Sequence, residues 1–340
     1  MTSPASDTRA SRLSGIARIA LAGLIWGSMP LFLRSADGAS VIKVFFRVGG
    51  AAVVIGVWLA VSGRWRELTT LPARKWWQLA SQGLVLTANW LLFLTALDMT
   101  SVATAELMAY SAPVLVAVLA PAVTGERFDR RVVLPLALSL GGIVVILAPQ
   151  GLSLGSGRQL LGAGLALASA ATYATLLLRS KKILAGVTSG ALMIVEYTLA
   201  TLVLSPFVIW QYAHGNGPST PVAYASLITV GIVHTAIAGF IFLGGMRRVR
   251  TDRVAVLTYV EPVSAIFFAA IFLAEPLSLP TVVGALMVVT GGVIVARIDT
   301  DAGVMPVPIE APSAEPAIDS VCEEPDAWAY SDETTSGEEL

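Results

Sequence analysis

Polar residues fall in short clusters along this chain, and ten long apolar runs lie between them. The runs cover about 14–33, 41–61, 76–97, 102–122, 132–149, 160–178, 188–210, 222–245, 254–273 and 279–296. Each approaches the roughly 20 residues that a helix needs to cross the hydrocarbon core of a bilayer. The runs are continuously apolar, not alternating, which predicts helices and excludes a membrane β-barrel. The expected fold is an all-α membrane protein with ten transmembrane helices. Residues 1–13 are polar and basic, with no small-residue cleavage site after them. The first run is therefore expected to remain as a helix instead of leaving as a signal peptide.

The clusters between the runs predict an orientation. With residue 1 in the cytoplasm, the inner segments carry 18 Lys and Arg, from Arg9, Arg12 and Arg18 to Arg297, while the outer loops carry only Arg34 and Arg158. This imbalance matches the positive-inside rule. It predicts a multi-pass protein of a bacterial inner membrane with both termini cytoplasmic.

Composition supports the membrane class and narrows the rest. The chain is 55% hydrophobic and 13% charged, with a mean hydropathy of +0.75. A water-soluble fold would have to hide that apolar surface, whereas lipid accepts it. Residues 1–297 hold all 22 Lys and Arg and 11 acids; residues 298–340 hold 12 acids and no base. That tail is rich in Pro, Ala, Ser, Glu and Asp, and is expected to be a disordered, acidic, solubilising cytoplasmic segment. Scattered bases argue against nucleic acid as a partner. One cysteine, Cys322, excludes a disulfide framework within the chain, and two histidines make no metal site. The absence of GxxxxGK[ST] argues against direct ATP drive. No cofactor is expected.

The chain also repeats itself. At an offset of 149 residues Tyr110 falls on Tyr259, Pro113 on Pro262, Glu126 on Glu275, Gly142 on Gly291 and Arg47 on Glu196. YSAPVLVAVLAPAVTGERFD aligns with YVEPVSAIFFAAIFLAEPLS without a gap, which suggests duplication. Five spans are an odd number, so the second copy enters from the opposite face. The predicted organisation is 1–13 as an N-terminal segment, 14–149 as one repeat, 150–159 as a linker, 160–297 as the inverted repeat and 298–340 as the tail. Inverted repeats of this kind permit alternating access to a midplane site.

The motifs LIWGSMPLF, FFRVGGA, NWLLFLTALDMTSVATAELMAYSAPVLVAVLAPAVTGERFD and GGMRRVRTDRVAVLTYVEPVSAIFFAAIFLAEPLS resemble the EamA-like branch of the drug/metabolite transporter superfamily. The resemblance covers nearly all of residues 14–297. It implies two five-helix bundles around a cavity lined by spans 1, 3, 4, 6, 8 and 9. It also implies a secondary carrier of a small metabolite, such as an amino acid or an amphipathic organic compound, with export the expected direction. The competing class is a membrane protein that does not transport, either a sensor or an assembly factor. An intramembrane enzyme would need GxGD or HExxH, and neither occurs.

Polar residues at membrane depth are costly and supply the candidate site. Glu106 and Tyr110 share a face of the fourth span with Pro113, and Tyr259 and Glu261 stand beside Pro262 in the ninth. The two prolines are expected to kink their helices. Gln82, Asn89 and Trp90 on the third span, and His234 with Thr235 on the eighth, either line a watery path or join helices. Trp26 and Tyr173, on the first and sixth spans, are expected to clasp substrate or to anchor an interface. Arg47 and Glu196 are expected to pair across the repeats, or else to meet local helix ends. Lys43 is expected to snorkel to the headgroups. Glu126 and Glu275 are expected to hold amides at the starts of the fifth and tenth spans. Protons are candidate coupling ions through Glu106, Glu261 or His234, and the protein is expected to be a monomer or a homodimer.

Overall fold

The computed structural model describes residues 4–298, with side chains from Ala10 onward. The acidic tail, with Cys322, lies outside the described residues from position 299. Among the described residues ten helices are long and apolar enough to cross a membrane. They are α1 (Ala10–Arg34), α2 (Ser40–Val61), α3 (Ala73–Met99), α4 (Val102–Thr124), α5 (Arg130–Gln150), α6 (Gly157–Ile183), α7 (Ser189–Ala213), α8 (Pro221–Met246), α9 (Thr251–Phe272) and α10 (Leu279–Arg297).

Local chemistry sets several of the boundaries. The side chains of Ser101, Ser156, Thr188, Thr220 and Ser278 each accept a bond from the amide three residues on, satisfying donors that a helix start leaves open. Gly125 ends α4 at φ 75°, a left-handed geometry that favours glycine.

The helices pack in a pattern that repeats. α1 lies on α8 and α9, and α6 lies on α3 and α4; α2 lies on α8 as α7 lies on α3. The pairs α2–α7, α4–α9 and α5–α10 meet directly. Exchanging each helix for its counterpart five places on returns the same set, which is the signature of a two-fold relation. The crossing of α5 and α10 fixes its direction. A Cβ added at Gly142 would stand 2.5 Å from the Gly284 carbonyl oxygen, and one at Gly291 would stand 2.6 Å from that of Pro135. A shift of 149 carries the first pair onto the second. The contacts run in opposite directions along the two helices, so the repeats are inverted.

Loop contacts define the two ends of the bundle. At one end, here called the basic end, Arg12 donates to the Ile298 carbonyl, Thr188 donates to Glu67 (2.6 Å), and Arg247 donates to the Val187 carbonyl. At the far end Ala39 bonds Asn216, Ser219 bonds Asp37, Thr100 bonds the Ser153 carbonyl, and Arg34 pairs with Glu275.

Candidate functional site

Both helices that carry the paired prolines are broken. α4 loses its helical path at Tyr110–Ser111 and α9 at Thr258–Tyr259, each a few residues before Pro113 or Pro262. Proline cannot donate to the preceding turn, so the chain tightens there: Ser111 bonds back to Met108 and Tyr259 to Val256, three residues away. The two breaks meet. The fully buried Tyr259 hydroxyl donates to the Tyr110 carbonyl at 2.7 Å, and the two rings stand 6.3 Å apart. Tyr259 thus satisfies backbone that the break exposes and is not free to hold a ligand.

Groups of both charges gather beside these breaks. The Arg47 guanidinium donates to Thr235 Oγ1 at 3.1 Å and lies over the Trp90 ring, 5.4 Å from its centroid. That stacking is a cation–π contact, worth more where water is excluded. Glu261, Tyr173 and Tyr197 lie within Coulombic reach of Arg47, and Glu106 within reach of Glu261 and Tyr110. Arg47, Trp90, Glu106, Tyr110, Tyr173, Tyr197 and Glu261 are all half-buried. Such a set offers donors to an anion, acceptors to a cation and ring faces to an apolar body.

Helix α8 is wound as a π-helix at Val230–Ile237, where it meets this set. The looser winding turns backbone carbonyls toward neighbours. The Val230 carbonyl takes the Thr235 hydroxyl (3.1 Å), and the His234 carbonyl takes the Trp26 indole N–H (2.6 Å). His234 is buried, and its Nε2 lies 2.9 Å from Ser28 Oγ. Thr235 is therefore held so that it fixes Arg47.

Other sequence candidates take different roles. Gln82 donates to the Leu176 carbonyl and Ser180 (both 2.9 Å), and Asn89 to the Ser169 carbonyl (2.7 Å), Ser169 Oγ and Thr172. Both are buried and join α3 to α6 instead of lining the path, because α6 presents small residues that let the two backbones approach. Trp26 is fixed between α1 and α8, with its indole N–H on the His234 carbonyl and Phe242 at 5.0 Å.

Arg47 and Glu196 do not form a pair. On α2 and α7, Gly49 lies against Thr201 and Gly56 against Ile194. Arg47 is thereby level with position 203, roughly 10 Å along the axis from Glu196. Equivalence by repeat is not proximity unless both residues sit at the two-fold axis, as Tyr110 and Tyr259 do. Glu196 is buried beside Gln82, in reach of Arg179. Glu126 corrects another expectation: it accepts from the Thr251 amide (2.8 Å) and hydroxyl (3.0 Å), capping α9 and not α5. The start of α5 is held by Asp129, which accepts from the Arg131 amide, and α10 by Ser278.

Sequence reading missed Tyr197 and Ser28. Tyr197 adjoins Glu196, which drew attention away from it, and a hydroxyl such as Ser28 gives no signal without its partner. The π-helix has no sequence signature here beyond the polar pair it displays.

Comparison with known proteins follows the same lines. The family model described as the EamA-like transporter family matches twice, over residues 13–148 and 160–297. An uncharacterized transporter of Archaeoglobus fulgidus is 26% identical over 83% of this chain and 96% of its own length. Protein RarD of Escherichia coli is 24% identical over 79% of this chain and 88% of its own. A crystal structure with 21% identity shares the fold, with a TM-score of 0.70 over 84% of this chain and 97% of that one.

Proposed function

The chain belongs to the EamA-like transporter family and is a multi-pass membrane transporter, and from that premise we propose a secondary carrier that exports a small amphipathic metabolite by alternating access. The observation that carries the reading is the placing of Arg47 within Coulombic reach of Glu261, and of Glu106 within reach of Glu261, beside two helices broken at equivalent points. Charges at that depth are expensive unless they have work to do. A zwitterion such as an amino acid would set its carboxylate near Arg47 and its ammonium near Glu261 or Glu106. Trp90, Tyr110 and Tyr173 would enclose its apolar part. Protons are the coupling ion in this reading, carried by Glu106 or Glu261.

Alternating access draws support from asymmetry. The first half of α9, Thr251–Leu257, is wholly buried against the second half of α4. The counterpart pair, the first half of α4 and the second half of α9, does not pack in this way. The bundle is closed at the basic end and open at the far end. With the basic end in the cytoplasm, this is an outward-facing carrier.

The test is a thermal-shift screen of the purified protein against amino acids, nucleosides, sugars and organic cations, followed by uptake into oriented vesicles. A hit lost on Glu261→Gln and on Trp90→Ala, with folding intact, supports the site. A hit indifferent to both moves the site elsewhere. Flux unaffected by an imposed pH gradient removes proton coupling.

A further inference from the structure

The broken symmetry can be followed residue by residue. A cavity of about 340 Å³ opens at the far end, between α1, α5, α9 and α10, lined in part by Ala265, Ile266, Ala269 and Thr281. Those four are half-buried. A shift of 149 takes them to Val116, Ala117, Ala120 and Val132, which are each 0–1% exposed. The same wall that is open at one end is therefore shut at the other.

Equivalent carboxylates stand at the two ends of this wall in different states. At the shut end Glu126 accepts the Thr251 amide and hydroxyl and so ties the end of α4 to the start of α9. Arg250 reinforces the tie, donating to the Arg127 carbonyl and to Asp252 (2.9 Å). At the open end Glu275 is exposed and paired with Arg34, itself exposed. By the repeat shift, the position that corresponds to Thr251 is Val102, the first residue of α4. Val102 stands at the start of α4 as Thr251 stands at the start of α9, without the hydroxyl and beside the Ser101 cap.

We propose that Glu126 and Glu275 are alternating latches. Glu126 caps α9 in the state described here, and Glu275 caps α4 in the opposite state; Arg34 holds Glu275 aside until then. The proposal rests on the alternating-access reading and adds to it which residues set the balance. The electrostatics favour such an exchange. An exposed Arg–Glu pair is weak, whereas a carboxylate on the open amides of a helix start gains both a charged hydrogen bond and the helix dipole. The latch released at one end is thereby replaced by a comparable one at the other, which keeps two states within reach of each other.

The experiment is electron–electron distance measurement on the full-length protein in lipid nanodiscs. The background is Cys322→Ser. One spin-label pair replaces Val102 and Leu277 at the far end, and a second replaces Phe128 and Arg248 at the basic end. The expected result is opposite population shifts of about ten-fold, the worth of one charged hydrogen bond. Glu126→Ala and Arg34→Ala shorten the far-end distance and lengthen the basic-end one. Glu275→Ala does the reverse. Glu126→Gln, which keeps an acceptor, shifts less than Glu126→Ala and guards against a merely unfolded variant.

Two anticorrelated populations in the parent protein that none of these variants moves would overturn the latches and leave alternating access standing. One fixed distance at both ends, in parent and variants alike, would overturn both. Loosening at both ends together on Glu126→Ala would assign Glu126 to packing and overturn its part in an exchange.

Discussion

Asn89 and Glu261 show how two polar residues at similar depth divide their labour. Asn89 spends its amide on three acceptors of α6, whereas the Glu261 carboxylate lies within Coulombic reach of Arg47. Removing Asn89 deletes its three bonds between α3 and α6, so Asn89→Ala is expected to cost about 1–3 kcal/mol of stability. A lowered unfolding midpoint in detergent with an unchanged substrate KM is the expected outcome; a raised KM with intact stability would return Asn89 to the path. From sequence alone the two residues look alike, since each is a polar side chain in an apolar run. What separates them is the partner, and the partner sits 80 residues away for Asn89 and more than 200 for Glu261.

Asp37, outside the spans, offers a pH test. The Ser219 hydroxyl and amide donate to its carboxylate and hold its pKa below the ordinary 3.8. A depressed acid stabilises the fold above its unfolded pKa, and that contribution fades as pH falls through the folded value. The tie between the α1–α2 and α7–α8 loops should therefore weaken below pH 3.8. A lower protection factor at Ser219, corrected for the intrinsic exchange rate, below pH 3.8 and in Asp37→Asn at neutral pH is the measurement that checks it.

At the scale of elements, length and patterning carried most of the information. Every apolar run became one spanning helix, and the ends moved by only a few residues, with caps such as Ser101, Thr188 and Ser278 closing several of the starts. The prolines marked the breaks in α4 and α9, as steric chemistry requires. The π-winding of α8 was hidden, because the groups that meet it, Trp26 and Arg47, come from α1 and α2. The repeat offset paired Gly142 with Gly291, but did not place them at a crossing of α5 on α10. At that crossing Gly142→Leu would drive a side chain into the Gly284 backbone, and overpacking of this kind costs about 1–3 kcal/mol. The expected outcome is a markedly lower yield of folded protein in membranes, while Gly164→Leu, where nothing lies within 4 Å, is tolerated.

For the whole molecule, charge and duplication act together. The 18 Lys and Arg of alternate loops gather at the end where α1 begins and α10 ends. Reporter tags fused at residues 1 and 340 should both report the cytoplasmic side; opposite sides would remove the orientation and the outward-facing assignment with it. Duplication was visible in the sequence as an offset, and it foretold which helices correspond. It did not foretell which end is shut, because two equivalent halves can close either mouth and only the three-dimensional arrangement records the choice.

The seam between α5 and α10 has a mechanical corollary. Glycine against carbonyl leaves almost no side-chain thickness to shear, so these two backbones cannot slide past each other. Helices α4 and α9 instead meet through side chains, with the Tyr259 hydroxyl on the Tyr110 carbonyl and Glu126 on Thr251. Any swing of one half against the other then turns about a fixed fulcrum, like a seesaw and unlike a piston. Under the alternating-access reading, lever arms on opposite sides of that pivot would make one mouth narrow as its opposite widens, and so avoid a continuous leak.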